Sequence, residues 1–294
     1  MLNQDKINQQ RGKTMNILVT LNSSYVKQLM VMLTSLLDSN PGEQFTVYIA
    51  HSAMSKEDFA RIDQAIDSSR CKVEGIKLSD EGLSKAPITS RYPKEMYYRI
   101  FAVNYLPDHL ERILYLDPDL VVINPLKELY SIDFQGNFFA AASHVKELLK
   151  KLNHVRLNMA EDSTYVNSGV MMMNLSLLRQ EQDVHEVYQY IEEYKHRLFL
   201  PDQDVLNGVY SDRTLTVDAK IYNLSERYYA LYNLNPKYWD ARIDLDWVRS
   251  NTAIIHYCGR NKPWKDNYIG ELDVFYKNYE QKVRAKMKDF ETMR

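Results

Sequence analysis

Apolar and polar positions along the chain alternate between two periods. Residues 16–20, NILVT, are a short apolar and β-branched run, the pattern of a buried strand. Across 26–37 the apolar residues Val26, Leu29, Met30, Leu33, Leu36 and Leu37 recur at three and four, which predicts an amphipathic helix. Asn40-Pro41-Gly42 ends it. A second strand follows at 45–50. Ser55 is then a helix N-cap, with Glu57 and Asp58 in the first turn of a helix reaching about residue 68. A third strand lies near 72–78. This βαβαβ rhythm predicts a mostly parallel sheet covered by helices, whose ligands sit beyond the carboxyl ends of its strands. The first such loop, Leu21-Asn22-Ser23-Ser24-Tyr25, is a site candidate by position.

Further on, the pattern predicts a loop over 79–93, a helix over 95–105 and strands at 112–116, 120–123, 138–143 and 169–175. Helices follow at 184–197 and 202–209, the second capped by Asp202 after Pro201, and a last strand at 253–257. No repeat or Gly/Ser/Pro linker interrupts the series. The expected organisation is an extension over 1–14, one domain over 15–268 and a basic amphipathic tail over 269–294.

Composition narrows the function. The 294 residues are enough for a large core, and the net charge of −2 excludes a nucleic-acid coat. No run approaches a membrane span. Two cysteines, Cys71 and Cys258, and a polar N-terminus predict a cytoplasmic protein without a disulfide scaffold. The charge is uneven, with nine Lys/Arg against six Asp/Glu from His256 onward. The last stretch interleaves aromatic, apolar and basic residues. It reads either as a helix packed on the domain or as an interfacial helix at the inner face of the plasma membrane.

Three Asp-x-Asp pairs are present: Asp117/Asp119, Asp202/Asp204 and Asp244/Asp246. The last lies in a mixed polar stretch and reads as solvated surface. The second opens a helix, where capping accounts for one carboxylate. The first separates two apolar runs, RILYL and LVVI. Carboxylates there need a positive partner, and a metal ion is the economical one, although turn chemistry alone also favours Asp-Pro-Asp. His256 ends the last strand, where a structural role competes with metal ligation. Cys258 has no base indicated beside it, and Met171-Met172-Met173 reads as core.

Taken together, MNILVTLNSSY, KEMYYRIF, RILYLDPDLVVINPL, YVNSGVMMMNL, FLPDQDVLN and IIHYCGRNKPW resemble glycosyltransferase family 8 over about residues 15–268. The wording is similar to a branch common in Gram-positive bacteria. The resemblance implies a GT-A fold with a Rossmann-like sheet. It implies a UDP-glucose or UDP-galactose donor, retention at the anomeric carbon, a carbohydrate-containing acceptor, and Mn²⁺ or Mg²⁺. It assigns the metal to Asp117, Asp119 and His256, and carboxylates with one imidazole suit Mn²⁺. It places Lys262 and Gly259 at the diphosphate and Arg99 near sugar and diphosphate. Asn167, Ser168, Asp202 and Gln203 fall on the donor sugar, with Gln203, Asp202 and Asn167 as the catalytic candidates. Leu21, Asn22, Tyr25 and Pro118 complete the nucleotide-sugar set. Asn22 departs from the family's usual aspartate, which reads the uracil edge, but its carbonyl can still accept from N3–H. That departure supports the alternative, a degenerate sugar-nucleotide-binding partner of an active transferase.

Overall fold

The computed structural model describes residues 14–78, 94–143, 147–160, 162–234 and 242–287. The expected extension, the 79–93 loop and the last seven residues of the tail lie outside them, apart from Thr14. Strands β1 (Met15–Thr20), β2 (Phe45–His51) and β3 (Cys71–Lys77) pair in parallel, linked by helices α1 (Val26–Ser39) and α2 (Lys56–Ala65). The local signals act as predicted. Ser55 and Asp58 form a reciprocal capping box at the start of α2. That helix stops at Ala65, short of 68, because Ile66 is extended and the chain turns through Asp67 to Ser69.

Strands β4 (Arg112–Leu116), β6 (Phe139–Ala142), β7 (Val170–Asn174) and β8 (Thr214–Val217) extend the sheet to seven strands, in the order β3-β2-β1-β4-β7-β6-β8. The α/β architecture is as expected, and the sheet is mostly parallel. The exception is β7, antiparallel to both β4 and β6. Strands β5 (Leu120–Val122) and β9 (Ile254–His256) do not join it. They form a separate antiparallel ribbon. The four-residue β8 is too short to stand out as an apolar run.

Strand alternation sends successive residues to opposite faces, so one sheet serves two cores. Ile17, Val19, Leu114 and Met172 pack beneath α1. Leu18, Ile113, Tyr115, Met171 and Met173 pack on the other face. The methionine triplet is therefore core on both sides.

The helix expected over 95–105 is instead two 3-10 turns, Lys94–Arg99 and Ala102–Asn104. Tyr97, Tyr98, Ile100, Phe101 and Ala102 are all buried. The one charged buried side chain of this segment, Arg99, points into the site described below.

Helices α3 (Lys127–Tyr130), α4 (Glu147–Leu157), α5 (Leu175–Glu181), α6 (Val184–Tyr194), α7 (Pro201–Tyr210), α8 (Ala219–Tyr222), α9 (Glu226–Leu234) and α10 (Leu245–Asn251) fill the connections. The C-terminal helix α11 (Asp273–Lys286) packs on α1 and α2. Phe275, Tyr276, Tyr279 and Val283 are buried against the domain, while Lys277, Lys282, Arg284 and Lys286 face solvent. Among the described residues no helix is long and apolar enough to cross a membrane.

Candidate active site

Two pieces of strand geometry build the site. The ribbon pairs Leu120 with His256, so His256 lies beside Asp119 although 137 residues separate them. The Tyr257 N–H also donates to the Asp119 carbonyl, at 3.0 Å. The second piece is the reversed strand. Because β7 runs against β4, its leading loop arrives at the carboxyl end of β4. Leu116 pairs with Val170, and the Asp117 N–H donates to the Gly169 carbonyl at 2.8 Å. YVNSG thus reaches the Asp-Pro-Asp break.

Asp117, Asp119 and His256 each present one ligand atom, all within 4.8 Å of one another. His256 Nε2 lies 3.0 Å from Asp119 Oδ1 and 3.6 Å from Asp117 Oδ2. Neighbouring ligands on an octahedral ion with bonds of about 2.1 Å sit about 3 Å apart, so the spacing and the O,O,N donor set fit Mn²⁺ or Mg²⁺. The surroundings are cationic. The Lys262 ammonium contacts Asp119 Oδ2 and donates to the Tyr257 carbonyl at 2.8 Å. Burial opposes ionisation of Asp119, but Lys262 and His256 outweigh it and hold its carboxyl far below the usual range. Burial likewise works against the charge on Lys262, and Asp119 outweighs it, raising the Lys262 pKa.

Arg99 joins the two halves. Its Nη2 lies 3.0 Å from Asp117 Oδ1, its Nε 3.4 Å from Asp202 Oδ2, and its Nη1 donates to the Ser168 carbonyl at 3.0 Å. The guanidinium stacks 4.2 Å over the Tyr115 ring. The Tyr115 hydroxyl donates to Asp117 at 2.7 Å. Burial lifts the Asp202 carboxyl to about 6, against the pull of Arg99 and with some help from Asp117.

Asp202 does not cap α7. Leu200 is the N-cap and Pro201 takes the first helical position, which sets Asp202 inside the helix facing Arg99. Asp204 Oδ2 instead accepts from the N–H groups of Phe199 and Leu200, which ties the chain leading into the helix. Gln203, between them, accepts from Asn167 Nδ2 at 2.9 Å and the Ser168 N–H at 3.2 Å.

Arg99, Asp117, Asp119, Asn167, Ser168, Asp202, Gln203, His256 and Lys262 therefore form one contiguous cluster. Tyr25 stands edge-on to Trp264 at 6.4 Å, and burial, opposed by Lys262, raises its hydroxyl pKa. Asn22 has a local duty: its Oδ1 accepts from the N–H and hydroxyl of Ser24, capping the 3-10 turn Ser23–Tyr25. The Leu21 side chain belongs to the core, Pro118 is buried, and Gly259 is exposed with φ +87. Burial pushes the Cys258 thiol up to about 11, which disfavours a nucleophilic thiolate. Asp244 and Asp246 are exposed, as expected, and Asp244 caps α10.

Sequence reasoning misses three contributors. Gly169 sits where any Cβ would fall inside the His256 ring and the Asp117 carboxylate. Its signal is a glycine at the start of an apolar strand, which marks close approach. Asn223 accepts from His256 Nδ1 at 2.9 Å, and nothing in IYNLS announces it. Tyr165 links Gln203 to Asp204, at 2.9 and 2.6 Å.

A strand-end cluster of two carboxylates, an imidazole and two buried cations thus sits on a Rossmann-like sheet, and Asp117, Asp119 and His256 could hold a metal ion. Residues 16–268 match the family described as Glycosyl transferase family 8. The chain belongs to that family and is a glycosyltransferase. It is 26% identical to a lipopolysaccharide 1,2-glucosyltransferase of Escherichia coli over 273 residues, 91% of this chain and 78% of that protein. It is 25% identical to general stress protein A of Bacillus subtilis, over 87% of this chain and 90% of that one. Relatives in both organisms leave the expected branch unassigned. The galactosyltransferase LgtC, solved with donor and acceptor sugar analogues, superposes with a TM-score of 0.77 at 23% identity, covering 93% of this chain and all of LgtC. That likeness confirms the GT-A fold.

Proposed function

We propose that this protein is a divalent-cation-dependent retaining hexosyltransferase. It moves glucose or galactose from a UDP-sugar to a glycan, glycolipid or glycoprotein, with residues 15–268 as the catalytic domain. The observation that carries this reading is the convergence of Asp117, Asp119 and His256 between Arg99 and Lys262. The named activities of two relatives, a lipopolysaccharide 1,2-glucosyltransferase and a Salmonella typhimurium lipopolysaccharide 1,3-galactosyltransferase, support a hexose donor.

Asp117, Asp119 and His256 would hold Mn²⁺ or Mg²⁺, which when bound stabilises negative charge on the diphosphate. Lys262, whose ammonium lies 5.4 Å over the Trp264 ring, adds a fixed positive charge for the same oxygens. Arg99 orients Asp202 and the Ser168 carbonyl toward the sugar. Asp202 and Asn167 bond sugar hydroxyls. Gln203 lies at the β-face with its oxygen already accepting two hydrogen bonds, and an amide is a poor nucleophile. These features favour front-side attack over a covalent intermediate. The acceptor oxygen bonds to the anomeric carbon on the face from which the β-phosphate oxygen departs, and that oxygen takes the acceptor proton.

The same reading places the enzyme in the cytoplasm. The solvent-facing basic side of α11 suits an anionic inner-membrane surface if the acceptor is lipid-linked. The test is a donor-by-acceptor screen with Mn²⁺, comparing UDP-, GDP- and ADP-sugars. Acceptor-dependent UDP release supports the reading. Preference for a purine nucleotide overturns the donor, and binding without turnover selects the degenerate partner.

A further inference from the structure

The loop that carries Lys262 leaves and rejoins the fold at one place. Its entry is the end of β9, where the His256 N–H donates to the Leu224 carbonyl at 2.8 Å. Its exit is the segment from Tyr268 to Leu272, which closes on Glu226, two residues beyond Leu224. The Glu226 carboxylate accepts there from the Tyr268 hydroxyl at 2.6 Å, the Leu272 N–H at 2.9 Å and the Glu271 N–H at 3.2 Å. Any Cβ on Gly270 would fall inside that carboxyl group, so so close an approach needs the glycine. The Tyr257 hydroxyl also donates to the Leu272 carbonyl at 2.8 Å, which ties entry to exit directly.

A second fastening lies beside the lysine. Asn261 and Ile269 exchange a reciprocal pair of bonds: Asn261 Nδ2 donates to the Ile269 carbonyl at 2.7 Å, and its Oδ1 accepts from the Ile269 N–H at 3.0 Å. One side-chain amide thus joins the two arms of the loop as a neighbouring strand would. Lys262 is the next residue. Its ammonium reaches Asp119 and the Tyr257 carbonyl from a backbone whose arms are already joined. A buried cation serves an incoming anion best when its position is set beforehand, because no ordering cost then falls on binding.

We propose that Glu226 and Asn261 are positioning residues that fasten this loop before the donor arrives, so that the Lys262 ammonium is already in place for the diphosphate. The use of that charge rests on the UDP-sugar reading above. The fastening itself does not. Glu226→Gln is the direct probe. Each carboxylate oxygen accepts from a backbone N–H, so whichever way the amide turns, its NH₂ group meets a donor.

The test makes two measurements on the full chain. The first is the rate at which acetic anhydride labels Lys262 in the ligand-free protein, read by mass spectrometry against the exposed Lys265. Lys262 should label slowly in the wild type and about tenfold faster in Glu226→Gln and in Asn261→Ala. The second is UDP affinity with Mn²⁺ present, by calorimetry. It should weaken about tenfold in Glu226→Gln, but less than about twofold when the same change is made in Lys262→Ala. A purely structural role would weaken UDP equally in both backgrounds. Asn261→Ala, at a half-buried loop position, carries both measurements if Glu226→Gln fails to fold. Unchanged Lys262 labelling in natively melting variants overturns the proposal. So does an equal loss of UDP affinity with and without Lys262. Faster labelling in variants of a chain that binds no UDP supports the fastening and defeats the donor reading.

Discussion

The break between β4 and β5 and the first turn of α7 carry the same Asp-x-Asp spacing and use it in opposite ways. At the break the chain bends through Pro118 and Asp119, and Asp117 and Asp119 converge on His256. On a helix, residues two apart lie roughly 200° round the axis. Asp202 accordingly turns to Arg99 at the site, while Asp204 turns inward to Arg156 and Tyr165. The spacing therefore says little until the local backbone is known. One pair gathers charge for a ligand; the other divides its work between the site and the fold.

The sharpest way to break this comparison is at Asp204. Asp204→Asn leaves Arg156 with half its bidentate partner in a buried setting and should cost about 3–5 kcal/mol of unfolding free energy, read by urea denaturation. A loss below about 1 kcal/mol would erase the distinction between anchor and site. Gly169→Ala comes next. Its methyl group displaces His256 and Asp117, so about 1–3 kcal/mol of stability and about 10²-fold in kcat should go together, with the Mn²⁺ requirement raised.

Asp202 gives a pH signature. Its carboxyl titrates near 6 in the folded chain and near about 3.9 unfolded. The folded state binds this proton more tightly. Asp202 therefore withdraws stability as pH rises from about 4 to about 6, and the loss is complete above that. The stability difference between wild type and Asp202→Asn should fall by on the order of 2 kcal/mol between pH 4 and 7. A flat difference would sink that assignment. The smallest effect belongs to the third pair. Asp244→Ala should cost about 1 kcal/mol through loss of the α10 cap, with transfer activity unchanged.

The first half of the fold was readable because its signals are clean: β1 and β2 are short apolar, β-branched runs buried on both faces, and α1 repeats its apolar residues at three and four. The MYYRIF segment was misread as a helix because its aromatic residues are buried on every side, which hides any period. Orientation within the sheet was not readable at all. VMMMN is equally apolar in either direction, yet its reversal brings Ser168 and Gly169 to Asp117. The site residues found in advance are those whose chemistry is exceptional in an apolar setting, such as Asp119 and His256. Asn223 and Tyr165 were missed because a neutral polar residue near a strand or helix end is ordinary, and only its contact with His256 or Gln203 brings it to the site.

The central claim is that Asp117, Asp119 and His256 hold the cation that supports transfer. The direct measurement is Mn²⁺ titration of the full chain by electron paramagnetic resonance, with UDP present, beside Asp119→Ala. The account predicts one bound ion per chain in the wild type, at least about 100-fold weaker binding in the variant, and about a 10³-fold fall in sugar transfer. Equal Mn²⁺ affinity and full activity in Asp119→Ala would contradict it.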